Sequence, residues 1–509
     1  MNLLSPTEQP RAPGRRSSFA IVSVAIGILL AALPAAAQLP TLGDTSEMSS
    51  GAERKLGERI ARELYRDPDY IDDAVLVEYV QGIWQPLLAA ARARGELTAE
   101  LDERFAWQVL LGKDRSINAF ALPGGWMGVH LGLISVTTSR DELASVLAHE
   151  LSHVTQRHIS RLMSQEKRQA PLVIAAMILG ALAASKSTDA ANAVMAGSQA
   201  LAMQNQLNFS RDMEREADRV GYGVMTQAGF EPQGFVTMFD KLQQAARLND
   251  NGNFPYLRTH PMTTERIADM QSRQQLAARP PLAGPGMEHA LMAARSRVMT
   301  NPGVDALRAQ LRDADTLIAG LAGARQAAAL YAAALASARL RDNAAAARYL
   351  ERLTPLVAAD PKAARLANLL AAEIALAVGE PARTVQLIDP ASQGRPEVLF
   401  LSQAWIRLGR PSDASQRLQT WVALQPRDAT AWQMLGTAYS AQGQTLRAVR
   451  ADAESQVAHL DYPAAMDRFK AAQELMRKGG TAGDHIEASI IDTRARQVAS
   501  LLREQALER

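Results

Sequence analysis

The 509-residue chain contains no cysteine. Disulfides, thiolate-bound metals and a thiol nucleophile are excluded, so any metal must be held by imidazole and carboxylate groups. Aromatic residues are scarce at 5%, and charge of either sign is not in excess: 55 Lys and Arg against 53 Asp and Glu give a formal net charge of +2. No basic stripe with interleaved aromatics occurs, which leaves nucleic acid outside the expected partners. Apolar runs of spanning length are missing too. Phe19–Leu33 and residues 171–184 both stay below the roughly 18 residues of a transmembrane helix, which disfavours a membrane-embedded enzyme.

The first run has another use. Arg11, Arg15 and Arg16 precede it and "PAAAQLP" follows it; basic, apolar and Ala-x-Ala segments in that order form a secretory signal peptide, residues 1–37, cleaved after Ala37. From a cell with two membranes, the mature protein would reside in the periplasm. The second run has three open readings: a core helix, a flap over a cleft, or a peripheral membrane contact.

Only eight histidines are present, yet three fall within "SVLAHELSHVTQRH", residues 145–158. Residues four apart share a helix face, so His149 and His153 can grip one ion. Glu150, next to the first histidine, can face a metal-activated water and act as general base, the logic of the H-E-x-x-H pattern. A catalytic zinc takes three protein ligands and leaves a position for water. The third is sought in "SRDMEREADRVGYG", residues 210–223, where Glu214 and Asp218 share a face and Ala217 and Gly221 leave room for close packing. Glu214 is assigned as the third ligand to one Zn2+ per chain, and Asp218 as the carboxylate that orients a ligand histidine.

"HELSH" with "EREAD" downstream resembles the zinc metallopeptidases that include the CAAX prenyl proteases and the heat-shock membrane protease HtpX, and among them the periplasmic BepA (YfgC) type, which carries tetratricopeptide repeats. The resemblance implies His149, His153 and Glu214 as metal ligands, Glu150 as catalytic base and Asp218 as supporting carboxylate. In similar proteins the segment matching "INAFALPGGWMGVHLGLI", residues 117–134, supplies an edge strand for substrate backbone. Asn118, Ala119 and Phe120 are the candidate substrate contacts. A His-Pro segment like that in "LRTHPMTTERI", residues 257–267, lies near the metal. His260 therefore counts among the catalytic candidates, with two roles open: a hydrogen bond to the oxyanion, or occupation of the fourth zinc position at rest. His158, five residues past His153, is expected to point away from the metal.

Beyond residue 273 the pattern changes. Residues 274–286, rich in Pro and Gly, suggest a linker. Further on, Trp432, Leu435, Gly436 and Tyr439 match the opening of a tetratricopeptide repeat, with Ala448 at the small-residue site of its second helix. Leu401, Trp405 and Ala414 stand 34 positions earlier at equivalent sites. The expected architecture is mostly α with a small β-sheet: a zincin-like α+β metallopeptidase domain at 38–273, then an all-α tetratricopeptide-repeat solenoid at 287–509. The resemblance implies an exported endopeptidase in outer-membrane protein quality control, degrading misassembled barrel proteins and assisting assembly, with unfolded or stalled outer-membrane proteins and the assembly machinery as partners of the repeats. The alternative is a chaperone or scaffold with a latent or structural zinc site.

Overall fold

The computed structural model describes residues 48–165, 211–247, 255–275, 286–312, 314–477 and 485–506. The expected signal peptide, the run 171–184 and most of the expected linker lie outside them. The described residues, from Met48 on, belong to one compact unit.

Helix α1 (Ser50–Arg66) starts where Ser49 Oγ accepts from the Ala52 N–H, and α2 (Ala74–Ala93) where Asp73 accepts from the Leu76 N–H. A short α3 (Ala99–Arg104) follows. Strands β1 (Tyr70–Ile71), β2 (Gln108–Gly112), β3 (Ala119–Leu122) and β4 (Trp126–His130) form one sheet in the order β1-β2-β4-β3. β2 and β4 run parallel; the other pairs are antiparallel. Every residue of β4 is buried, as a central strand covered on both faces requires. Gly124 and Gly125 turn β3 into β4 with φ of +72° and +82°. A side chain at Gly124 would meet the Arg54 backbone at 2.6 Å.

The sheet delivers the chain through α4 (Leu131–Val136) into α5 (Arg140–Thr155), which Ser139 caps and whose residues 142–155 are all buried. α6 (His158–Gln165) continues after a break. α7 (Arg211–Gln227) and α8 (Gln233–Arg247) pack on α5, and α9 (Tyr256–Thr259) and α10 (Thr264–Gln275) close this half. Gly221 allows the α5–α7 approach: an added Cβ would lie 3.1 Å from Ala148 and His149 backbone atoms.

From residue 286 on, every described element is a helix. α11 (Met287–Thr300), α12 (Val304–Leu311) and α13 (Ala314–Ala319) lead into helix pairs. The pairs are α14 (Gly323–Arg339) with α15 (Asn343–Val357), α16 (Pro361–Ala377) with α17 (Pro381–Leu387), α18 (Arg395–Arg407) with α19 (Pro411–Leu424), α20 (Ala429–Ala441) with α21 (Thr445–Ala458), and α22 (Tyr462–Arg477) with α23 (His485–Ala506). The fold is thus the expected one, mostly α with a small sheet and an all-α second half. Trp432, Leu435 and Tyr439 are buried with Val398 and Leu418, and a Cβ on Gly436 would stand 3.3 Å from the Ala448 carbonyl of α21.

The two halves share a core. α11 packs on α4 and α2, and buried Arg295 sends two nitrogens to Asp73 at 2.6 and 2.9 Å. Arg395 bridges Asp72 and Asp428, at 2.6 and 2.7 Å. These paired, largely buried charges fix register as well as contact.

Candidate metal centre

α5, α7 and the turn after α9 converge on one point. His149 and His153, one turn apart on α5, bring their Nε2 atoms to 3.0 Å of each other. From α7, Glu214 Oε1 stands 3.4 Å from His153 Nε2, and Glu214 Oε2 stands 3.6 Å from His149 Nε2. His260 places Nδ1 3.0 Å from Glu214 Oε1 and 3.4 Å from His149 Nε2. One donor atom from each of these four residues lies within 4.8 Å of the others, and all four residues are buried.

The set fits a zinc-sized cation. Donors to a tetrahedral ion at roughly 2.1 Å stand about 3.4 Å apart, the spacing found here. Without a cation, imidazole lone pairs would face one another and a carboxylate. Glu150, fully buried, completes the site: Oε2 accepts from the Ala121 N–H at 2.9 Å, whereas Oε1 has no hydrogen-bond partner among the described residues and lies 3.4 Å from His260 Nε2.

Charges behind these residues are organised. His149 Nδ1 stands 2.9 Å from Asp218 Oδ1, although its N–H does not point straight at that oxygen. Arg266, from α10, grips Asp218 at 2.6 and 2.8 Å and reaches Glu214 Oε2 at 2.7 Å. Burial opposes ionisation of Asp218, but Arg266 and His149 outweigh it and lower its pKa. Glu214 is likewise buried and yet held well below the usual carboxylate range by His260, His153 and His149. Burial dominates at Glu150 and raises its pKa; burial also drives His153 well below the usual imidazole range. Tyr256 stacks on His260, ring centroids 4.5 Å apart.

His158 corrects the sequence expectation in part. It lies outside the four-residue cluster and at a helix end, as a residue pointing away from the metal would, but it is not on the surface: it is fully buried behind His153, with Nδ1 2.8 Å from His153 Nδ1 and Nε2 3.0 Å from Glu216. On a continuous helix the five-residue step would rotate it about 140° off the His153 face. α5 instead ends at Thr155, and Arg157 takes a left-handed φ of +53° before α6 begins at His158. Burial pushes His158 down to about 4 against the pull of Glu216, so its ring is neutral at pH 7. Arg266, Tyr256 and Glu216 were also missed. Nothing in the sequence separates Arg266 from the arginines at 211, 215 and 219.

β3 is the sheet edge nearest the site. Asn118 is buried, and its carbonyl accepts from the His130 N–H, so alternation turns the peptide groups of Phe120 toward β4 and those of Ala119 and Ala121 outward. The Ala119 side chain is fully buried, and Phe120 is half-buried, its ring lying where a Cβ on Gly128 would fall.

A family model for peptidase family M48 matches residues 85–274, which contain every residue of the cluster. The chain is 30% identical over 408 residues to the beta-barrel assembly-enhancing protease of Escherichia coli, covering 79% of this chain and 80% of that one. The chain belongs to peptidase family M48. It is also 37% identical over 291 residues to a putative beta-barrel assembly-enhancing protease of Vibrio cholerae, covering 54% of this chain and 56% of that one. With the mitochondrial metalloendopeptidase OMA1 of Saccharomyces cerevisiae it shares 27% identity over 197 residues, 38% of this chain and 54% of that one. The M48 match makes the chain a metallopeptidase. No helix among the described residues is long and apolar enough to cross a membrane.

Proposed function

We infer that the chain is a periplasmic zinc endopeptidase in which His149, His153 and Glu214 hold the ion and Glu150 is the base. The observation that carries this reading is their convergence beside a strand edge whose Ala121 N–H already holds Glu150. Zinc, when bound, acidifies a water and stabilises the negative charge that develops on the scissile carbonyl. Glu150 takes the water's proton and delivers it to the leaving nitrogen; its raised pKa suits both tasks. Asp218, held by Arg266, orients His149. An extended substrate adds to β3 through the outward peptide groups of Ala119 and the outward carbonyl of Ala121, whose N–H stays with Glu150, and Asn118 and Phe120 flank that line.

Relatives named for beta-barrel assembly support a link to that process, and the substrates on this reading are outer-membrane barrel proteins that fail it. The helix pairs of the second half, read as tetratricopeptide repeats, would hold those proteins or the assembly machinery. The test is cleavage of an unfolded barrel protein by the wild type, Glu150→Gln and His260→Ala, with zinc measured in each. About one zinc per chain, cutting by the wild type and none by Glu150→Gln are expected.

One observation favours a second reading. His260 Nδ1 sits among the donors, so four protein groups can close the shell, as a structural or latent site would. On the peptidase reading His260 closes the position at rest, and His260→Ala cuts faster than wild type. If all three proteins hold zinc and none cuts, the scaffold reading replaces it.

A further inference from the structure

His153 turns Nε2 toward His149 and Glu214, so its Nδ1 faces away from the cluster, 2.8 Å from His158 Nδ1. Two ring nitrogens at that distance need one hydrogen between them. A metal on Nε2 of neutral His153 leaves the hydrogen on Nδ1, which makes His158 Nδ1 the acceptor. The hydrogen of neutral His158 then sits on Nε2, 3.0 Å from Glu216 Oε2, which can only accept when ionised. Arg161 Nη1 donates to the same oxygen at 2.8 Å. Each link fixes the next.

We propose that His158 is a positioning residue for His153, relaying the hold of the Glu216–Arg161 pair to the ring that presents Nε2 to the metal. His149 has the direct version, Asp218 backed by Arg266; His153 has one with an imidazole inserted. The backbone is bent to build it. Arg157, whose left-handed conformation starts α6 in the required direction, is tied to Glu53 at 3.1 Å. Partners of this kind fix ligand tautomer and orientation, and their loss lowers metal affinity about 10- to 100-fold.

The inference rests on the metal-site reading above, and the test separates the two. Zinc affinity of the purified full chain is measured by competition with a chelating dye for the wild type, His158→Phe, His158→Gln and Glu216→Ala, with the thermal midpoint of each metal-free protein. His158→Phe keeps the ring volume and loses the acceptor; affinity should fall at least about tenfold. His158→Gln can accept and donate in the same places and should stay within about threefold of wild type. Glu216 is only part-buried, so Glu216→Ala should fold and shift affinity in the same direction as His158→Phe, which keeps the test open if His158→Phe does not fold. Undiminished affinity in folded His158→Phe or in Glu216→Ala overturns the relay. Equal losses in His158→Phe and His158→Gln overturn it in favour of simple packing. A wild type that binds no zinc overturns the metal site itself.

Discussion

The Ala121 N–H donates to the Glu150 carboxylate over 2.9 Å, so the β3 edge of the sheet and the proposed base are one hydrogen bond apart. A substrate strand laid along β3, as proposed, would be brought to Glu150 in a fixed register. Glu150→Gln keeps the shape and can still accept from Ala121, but it cannot take a proton. Peptide cleavage should fall by about 10²- to 10⁴-fold, with zinc content and thermal midpoint at wild-type values. Activity above a tenth of wild type would remove Glu150 from the base role.

Arg266 is the cation behind the two buried carboxylates of α7, Glu214 and Asp218. Its side chain is 2% exposed and those of Asp218 and Glu214 are 1% and 2% exposed, so no water can replace it. Arg266→Met strips buried Asp218 of its main counter-charge and takes one partner from Glu214, and breaking a buried pair from one side costs about 3–5 kcal/mol. Urea unfolding of the metal-free protein should show that loss. Asp218→Asn with Arg266→Met should cost less than the sum of the single changes, because each removes the other's stranded partner.

How much of this was legible in the sequence depends on whether the cause is local. His149 and His153 stand four apart, as do Glu214 and Asp218, so periodicity puts each pair on one face, with Glu150 adjacent to the first histidine. Alternation and paired glycines make a strand, a Gly turn and a second strand of residues 117–134; the structure has them at Ala119–Leu122 and Trp126–His130, but the second strand stops at His130 and residues 131–134 open α4. His158 carries no such signal, because its direction is set by Arg157, a residue type with no left-handed preference, bound to Glu53 more than a hundred positions away. Arg266 and Ala121 were hidden for the same reason: one arginine becomes buried, and one alanine amide faces outward, only through tertiary packing and strand register.

Acid should weaken the buried charge pairs at the joint between the two halves, Asp73–Arg295, and beside it, Asp428–Arg395. Asp73 and Asp428 are buried, which works against ionisation, yet Arg295 and Arg395 hold both carboxyls below their ordinary pKa. With the folded pKa depressed, the unfolded chain takes up protons first, near pH 4, and the stabilisation is present above that pH and lost as pH falls through the folded values. Unfolding free energy should be flat from about pH 7 to 5 in this contribution and drop steeply below 4. Asp73→Asn should be less stable at pH 7 and show a shallower acid limb; an unchanged limb would exclude Asp73 as a source.

Gly221 tests whether the α5–α7 contact, and not merely each ligand's presence, sets the metal site. A Cβ there would stand 3.1 Å from the Ala148 carbonyl and the His149 nitrogen, both rigid backbone. Valine must push α7 away from α5, and Glu214 lies two turns along the same helix, so the carboxylate leaves the imidazoles. Overpacking of this kind costs about 1–3 kcal/mol, and zinc affinity should fall by at least about tenfold. Gly229→Ala is the control. It has open space around its Cβ but a φ of +82°, so it should cost about 1–2 kcal/mol through backbone strain alone and leave zinc affinity unchanged. If Gly221→Val binds zinc as tightly as Gly229→Ala does, the helix contact does not set the spacing of the donors.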